Sequence, residues 1–134
     1  MHAADAVASF LEQPTFAVVG ASDNRAKYGN KVLRCYLQHE RAAVAVHPRL
    51  TEVEGVPAFA DLSSIPTLPA AVSIITPPAV TRRVLDEAHE LGIQHIWLQP
   101  GAEDADVLRH ADEIGLPLIA GGPCLLVALG FRDV

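Results

Sequence analysis

The chain is poor in the residues that staple, stack on bases or bind phosphate backbones. It has two cysteines in 134 residues, Cys35 and Cys124. They are too few and too far apart for a disulfide framework, and no Cys/His cluster has zinc spacing. That usage fits a cytoplasmic protein. Aromatic residues make up 5% of the chain, with a single Trp, so the core is expected to be aliphatic. Basic residues number 10 against 16 acidic ones, a net charge of -6. This balance argues against a general nucleic-acid binder, which needs a basic face and stacking aromatics. It leaves room for a small anionic ligand, because a local site can be positive on an acidic protein. Met1-His2-Ala3-Ala4-Asp5 carries neither a basic leader nor a long apolar run, so no signal peptide is expected. The uncharged stretch from Ile114 to Phe131 contains Gly115, Pro117, Gly121, Gly122, Pro123 and Gly130. It reads as strand, loop and short helix rather than a membrane span.

What is present is a rhythm. The length suits one domain spanning residues 1–134. Ala3 to Gln13 has helical spacing and ends at Pro14. Thr15 to Val19 is a short apolar run closed by Gly20, the pattern of a buried strand. A polar loop leads to a helix from Asn30 to His39. Ala42 to Val46, Ala71 to Ile75, Gln94 to Leu98 and Leu116 to Ala120 repeat the strand pattern, with a short irregular strand at Gly55 to Phe59. Helices are expected from Pro77-Pro78 to Gly92 and from Glu103 to Ile114. Strands alternating with helices predict an α/β fold: a three-layer, doubly wound, mainly parallel sheet of about five strands, Rossmann-like.

In such a sheet the ligand lies beyond the carboxyl ends of the strands. Those ends read Gly20-Ala21-Ser22, His47-Pro48-Arg49, Thr76-Pro77-Pro78, Gln99-Pro100-Gly101 and Gly121-Gly122-Pro123-Cys124. The first lacks the three-glycine dinucleotide fingerprint. Its longer loop, with Ser22, Arg25 and Lys27, suits a phosphate cradle, and equally a tight turn with solvated charges. The second end has no acid to accept ribose hydroxyls until Glu52. Arg49 there suits a phosphorylated ribose, as in NADP or coenzyme A.

Gly20-Ala21-Ser22 with Lys27-x-Gly29, then His47-Pro48-Arg49, Thr76-Pro77-Pro78 and Ile96-Trp97-Leu98-Gln99-Pro100-Gly101-Ala102 resemble the small stand-alone CoA-binding domain proteins. That family is similar to the N-terminal domain of the succinyl-CoA synthetase alpha subunit. The resemblance runs from about Thr15 to Leu126 and implies a coenzyme A pocket. Gly20, Ala21 and Ser22 would sit under the pyrophosphate side of the ligand, and Lys27 of the same motif is counted among the cofactor-binding residues. Arg49, in place of the family's Lys after Asn-Pro, would stand near the ribose phosphate, with His47 and Pro48 of the same motif counted among the cofactor-binding residues. Thr76 and Pro77 would line the adenine side, and Leu98, Gln99 and Pro100 the pantetheine arm. The chain departs from the family pattern at Thr76 and after Cys124, where Leu125-Leu126-Val127-Ala128 replaces charged residues.

Of the 6 histidines, only His47 stands at a ligand-side strand end. Gly-x-Ser-x-Gly is absent and Ser22 has no base beside it, so no catalytic residue and no metal ligand is assigned. Cys124 is read as a packing residue, with a reactive thiol at a helix start as the alternative. The synthetase carries its phosphohistidine in a domain this sequence does not contain, so ligase activity is not expected. The resulting expectation is a protein that binds coenzyme A or an acyl-CoA as carrier, sensor or partner subunit, with a homodimer left open. Neither nucleic acid nor a membrane is an expected partner. The alternative is an NADP-dependent oxidoreductase-like protein.

Overall fold

A computed structural model describes residues 3–133, so the reading of Met1 and His2 lies outside the described residues. The chain runs through α1 (Ala3–Leu11), β1 (Phe16–Val19), α2 (Tyr28–Gln38), β2 (Ala43–Val46), β3 (Glu52–Val53) and β4 (Val56–Phe59). After a 3-10 turn at Leu62–Ser64 come β5 (Ala71–Ile74), α3 (Pro78–Glu90), β6 (His95–Leu98) and α4 (Ala105–Glu113). A π-helical turn at Leu126–Gly130 closes it. The strands form one 6-stranded sheet in the order β3-β4-β2-β1-β5-β6, parallel except for β3 against β4. The architecture is the expected Rossmann-like α/β sandwich. β1 is central: the chain leaves it for β2 on one side and later returns to β5 on the other. The switch in strand order therefore falls between the carboxyl ends of β1 and β5.

Strand alternation sorts the side chains into two cores. Phe16 and Val18 of β1 pack with α1, α2 and the closing turn, whereas Ala17 and Val19 pack with α3 and α4. The second core is aliphatic, as composition predicts. The first gathers aromatics instead. Trp97 meets Phe10 edge-on, with centroids 5.3 Å apart, and Phe16 stacks on Tyr36 at 4.7 Å. One polar pair is sealed in this layer: the Tyr36 hydroxyl and Ser73 Oγ lie 2.6 Å apart, both fully buried. On the other face, α3 begins with Pro78 in its first turn, and the Asp104 carboxylate caps α4 by accepting Val107 N–H at 2.8 Å.

Three expectations are corrected. Leu116 to Ala120 is not a full strand. Ile119 alone bridges Trp97, donating its N–H to Ile96 and accepting from Leu98, because Pro117 has no N–H to offer and glycines flank the segment. The irregular strand at Gly55 to Phe59 is one arm of a hairpin, whose other arm, Glu52–Val53, is too short to read from alternation. The helix α2 starts at Tyr28, two residues earlier than expected. Among the described residues, no helix is long and apolar enough to cross a membrane.

The buried Tyr36–Ser73 pair yields a stability prediction. Tyr36→Phe leaves the Ser73 hydroxyl without its partner in a dry layer and should cost about 1–3 kcal/mol. Urea denaturation should show the midpoint falling with an unchanged slope.

Candidate functional site

The switch between β1 and β5 opens into a cavity of about 320 Å³, lined by Gly20, Ala21, Ser22, Lys27, Tyr28, Gly29, His47, Ile75, Thr76 and Pro77. Its walls are the carboxyl ends of β1, β2 and β5 and the first turn of α2. Two other depressions, at the amino ends of the strands, are lined mainly by apolar side chains such as Phe10, Ile119, Phe59 and Pro69.

Close backbone contacts set the geometry of the cavity. Gly20 has φ +93°, and a Cβ there would lie 3.1 Å from the Ile75 carbonyl. Gly29 is tighter still: a Cβ would overlap the Gly20 carbonyl oxygen. Only glycine lets the start of α2 press onto the end of β1. The N-cap residue of α2, Lys27, makes no side-chain cap hydrogen bond. The first-turn amides, at Tyr28 and Gly29 on the cavity wall, thus lack intrahelical acceptors and carry the positive end of the helix dipole.

The loop ahead of α2 is folded by its own polar groups. Ser22 Oγ accepts Asn24 N–H at 3.0 Å, Asn24 Oδ1 accepts Ala26 N–H at 3.0 Å, and the Asn24 carbonyl accepts Lys27 N–H at 3.0 Å. Beneath it lies fully buried Asn30, whose amide donates to the Ser22 carbonyl at 2.8 Å and to Glu54 at 3.0 Å. Its oxygen accepts from Arg34 Nε at 2.7 Å. Glu54 also receives Arg25 in a two-point contact, at 3.2 and 2.9 Å. The Arg25 and Asn30 hydrogen bonds, in that order, hold the Glu54 carboxyl down at about 2. Glu54 reaches them from a left-handed backbone position, φ +50°, in the turn between β3 and β4. That conformation costs a non-glycine residue about 1–2 kcal/mol, which the charge-assisted bonds offset.

The structure brings Gly20, Ala21, Ser22, Lys27, His47, Thr76 and Pro77 to one cavity. Pro48 and Arg49 are exposed and are not on its wall. Pro100 is also exposed, and Leu98 and Gln99 are fully buried behind the wall. Tyr28 links Gln99 to the cavity: its hydroxyl donates to Gln99 Oε1 at 3.2 Å and lies 2.6 Å from Cys124 Sγ. Burial, then the Cys124 contact, pushes the Tyr28 hydroxyl well above the ordinary tyrosine range. Gln99 Oε1 accepts Leu125 N–H at 2.9 Å as well, while its Nε2 is buried without a partner. Cys35 is fully buried, and desolvation raises its thiol to about 11, which suits packing.

Sequence reasoning passed over Tyr28, Asn30, Ile75 and Glu54. Tyr28 carried a weak signal, as an aromatic residue directly between a polar loop and a helix. The polar bonds of Asn30 and Glu54 cross 24 positions and follow no short motif.

A sequence model of the family described as "CoA binding domain" matches residues 14–130. No curated protein matches the chain. Among solved structures, a conserved hypothetical protein from Pyrococcus furiosus is 33% identical, with TM-score 0.79, over 85% of this chain and 97% of that one. A Thermus thermophilus protein is 25% identical, with TM-score 0.80, over 95% and 96% of the two chains. The dinucleotide-forming acetyl-coenzyme A synthetase 1 of Candidatus Korarchaeum cryptofilum, in complex with phosphate and ADP, shares the fold at 23% identity and TM-score 0.70. The match covers 81% of this chain and 25% of that one.

Two predictions follow from the loop and its support. Gly29→Ala must displace α2 from the Gly20 carbonyl and should cost about 3 kcal/mol, in the range of backbone overpacking. Hydrogen exchange at residues 21–27 should rise with it. Glu54 titrates below its ordinary value of 4.5 in the folded state. Its contribution is therefore full above about pH 4.5 and is lost as pH falls through about 2. Urea midpoints measured from pH 5 to pH 2 should fall more steeply for the wild type than for Glu54→Gln.

Proposed function

The chain belongs to the CoA binding domain family, and on that premise we propose that it binds coenzyme A or an acyl-CoA in the cavity between β1 and β5. The observation that carries this reading is the uncapped amino end of α2, which opens onto the cavity with Lys27 beside it. Free first-turn amides, a helix dipole and a cation form an anion site suited to a pyrophosphate. The two glycine contacts fit the same reading, because they let backbone rather than side chain face the ligand. Gly20, Ala21, Ser22 and Lys27 would hold the pyrophosphate, and Thr76 and Pro77 the adenosine. Leu98, Gln99 and Pro100 lie farther back, so the pantetheine arm would reach them only past Tyr28.

The proposed role is binding without chemistry, as a carrier, sensor or partner subunit acting as one CoA-binding unit. The hydrogen bonds on the cavity wall support it. His47 Nδ1 accepts backbone N–H groups of Arg49 and Leu50, each at 3.0 Å. Ser22 Oγ holds the loop at Asn24, and Thr76 Oγ1 lies 2.8 Å from Thr81 Oγ1. The wall's polar side chains are spent on shape, which suits a preformed binding site.

A thermal-shift and calorimetry panel of coenzyme A, acetyl-CoA, NADP and NAD tests the reading. Coenzyme A at about 100 times its Kd should stabilise the fold by about 2.7 kcal/mol. Tighter binding of NADP or NAD than of coenzyme A would overturn it. Gly20→Val forces a side chain toward the Ile75 carbonyl and should abolish binding while the circular dichroism spectrum stays that of an α/β fold.

A further inference from the structure

One buried guanidinium joins the loop ahead of α2, the helix itself and the closing segment of the chain. Arg34 is 5% exposed. Its Nε donates to Asn30 Oδ1 at 2.7 Å, and its Nη2 donates to the Arg25 carbonyl at 3.3 Å and to Asp133 Oδ1 at 3.2 Å. Asn30 and Arg34 lie one turn apart on α2. A guanidinium has donors only, so it obliges Asn30 to turn its oxygen toward Arg34. The Asn30 nitrogen then faces the Ser22 carbonyl, 2.8 Å away, and Glu54, 3.0 Å away. The loop is thus held at Ser22, through Asn30, and at Arg25 directly. A charge at this depth needs a counter-charge. Asp133 supplies one, and the Phe131 ring centroid lies 5.0 Å from the guanidinium carbon. Both belong to residues 130–133, which are clipped along α2. Gln38 donates to the Arg132 carbonyl at 2.5 Å and accepts Arg132 N–H at 3.0 Å, and His39 Nε2 lies 2.6 Å from the Gly130 carbonyl oxygen. Lys31 Nζ stands 3.8 Å from Asp133 Oδ2. None of residues 130–133 lines the cavity.

We propose that Arg34 is a positioning residue that ties the shape of the loop to the docking of residues 130–133, so that the docked segment and an anion at the loop favour each other. This rests on the binding reading above and deepens it by naming how the site is regulated. With the segment clipped, Arg34 is charge-paired and Asn30 is aimed at Ser22. With the segment released, the guanidinium loses its carboxylate and its ring, and the Asn30 amide loses the donor that fixes its orientation. Such coupling is reciprocal: the factor by which docking raises ligand affinity is the factor by which ligand favours docking. Its sign is also distinctive. By charge alone, removing the Asp133 carboxylate favours an anion. By coupling, removing it weakens the anion.

The experiment reads both ends of the coupling. Coenzyme A is titrated by calorimetry into wild type, Asp133→Asn, Arg34→Lys and the double variant. Glu90→Gln, at an exposed position at the carboxyl end of α3, is the control for net charge. Lysine keeps the charge but has a single head group, which cannot span Asn30 and the Arg25 carbonyl as the planar guanidinium does. Asp133→Asn and Arg34→Lys should each weaken coenzyme A by about fivefold or more. The double variant should bind no worse than the weaker single variant, because both act through one contact. Glu90→Gln should leave the affinity unchanged. In the ligand-free protein, hydrogen exchange at the amides of Asn24, Ala26 and Lys27, all bonded within the loop, should quicken in Asp133→Asn. Saturating coenzyme A should slow exchange at Arg132 N–H in wild type and not in Arg34→Lys. Equal or tighter coenzyme A binding by Asp133→Asn overturns the coupling, as does exchange at Arg132 that ignores the ligand. Failure of wild type to bind coenzyme A overturns the binding reading instead. The loop amides then decide the role of Arg34: quickened exchange in Asp133→Asn upholds it, and unchanged exchange overturns it.

Discussion

The contact on which the site depends is between two backbones. Gly29 lies so close to the Gly20 carbonyl that no side chain fits between them. This contact seats the first turn of α2 directly over the end of β1. From it follow the direction of the helix dipole, the height of the loop from Ala21 to Lys27 and the place of Tyr28 on the wall. Dipolar attraction to an anion falls off within the first turn of a helix. A displacement of one side chain's width would therefore weaken the only part of α2 that can act on a ligand. A methyl group in this gap acts on site and fold together, since α2 also supplies Val32, Leu33 and Tyr36 to the aromatic core.

A second constraint connects the middle of the sheet to its edge. The hairpin β3–β4 lies at the far side of β2, yet Glu54 at its tip reaches Asn30 and Arg25, which belong to the β1 side of the site. Arg34 extends the chain of contacts to Asp133 at 3.2 Å and lies over the Phe131 ring at 5.0 Å. Buried Asn30 is satisfied on both its oxygen and its nitrogen, which is what makes a polar side chain tolerable at that depth. Exposed ion pairs contribute little by themselves. Here the Arg25–Glu54 pair gains from a half-buried acceptor shared with a buried amide, and it closes the loop against the hairpin. The positive φ of Glu54 belongs to the same arrangement: a turn position that favours Asn or Gly carries a carboxylate that reaches both Asn30 and Arg25.

Much of this fold was legible because its signals are local. Apolar runs such as Phe16 to Val19 and Ala71 to Ile74 lie between turn residues, Pro78 marks the start of α3 where expected, and α4 begins at Ala105, two residues after the expected Glu103. Among the residues that the strand-end rule singled out, Gly20, Ser22, His47 and Thr76 meet in one cavity. Local signals failed where a distant partner decides. The β3 arm exists because β4 lies beside it. Leu116 to Ala120 has the composition of a strand, but its proline and flanking glycines leave only Ile119 to pair. Leu98 and Gln99 stand at a ligand-side strand end and still face inward. Strand periodicity puts Leu98 in the aliphatic core, and Leu125 and Tyr28 together claim the Gln99 oxygen.

The electrostatic character of the cavity follows from how its charges are used. The protein is acidic overall, at -6. Of the two cations in the loop, Arg25 is neutralised by Glu54. Lys27 is exposed at its rim, where water screens it. The first-turn amides of α2 add a fixed dipole on the same wall. Dipoles differ from mobile cations in two respects. They are held by the fold, so ordering them costs little when a ligand arrives. Their influence is short-ranged, so they act on a phosphate group already seated and do little to steer one from solution. Under the proposed coenzyme A reading, such a site distinguishes ligands by where an anionic group falls relative to the start of α2. Selectivity on that reading rests on how β1 seats the first turn of α2 rather than on the sum of charges around the rim.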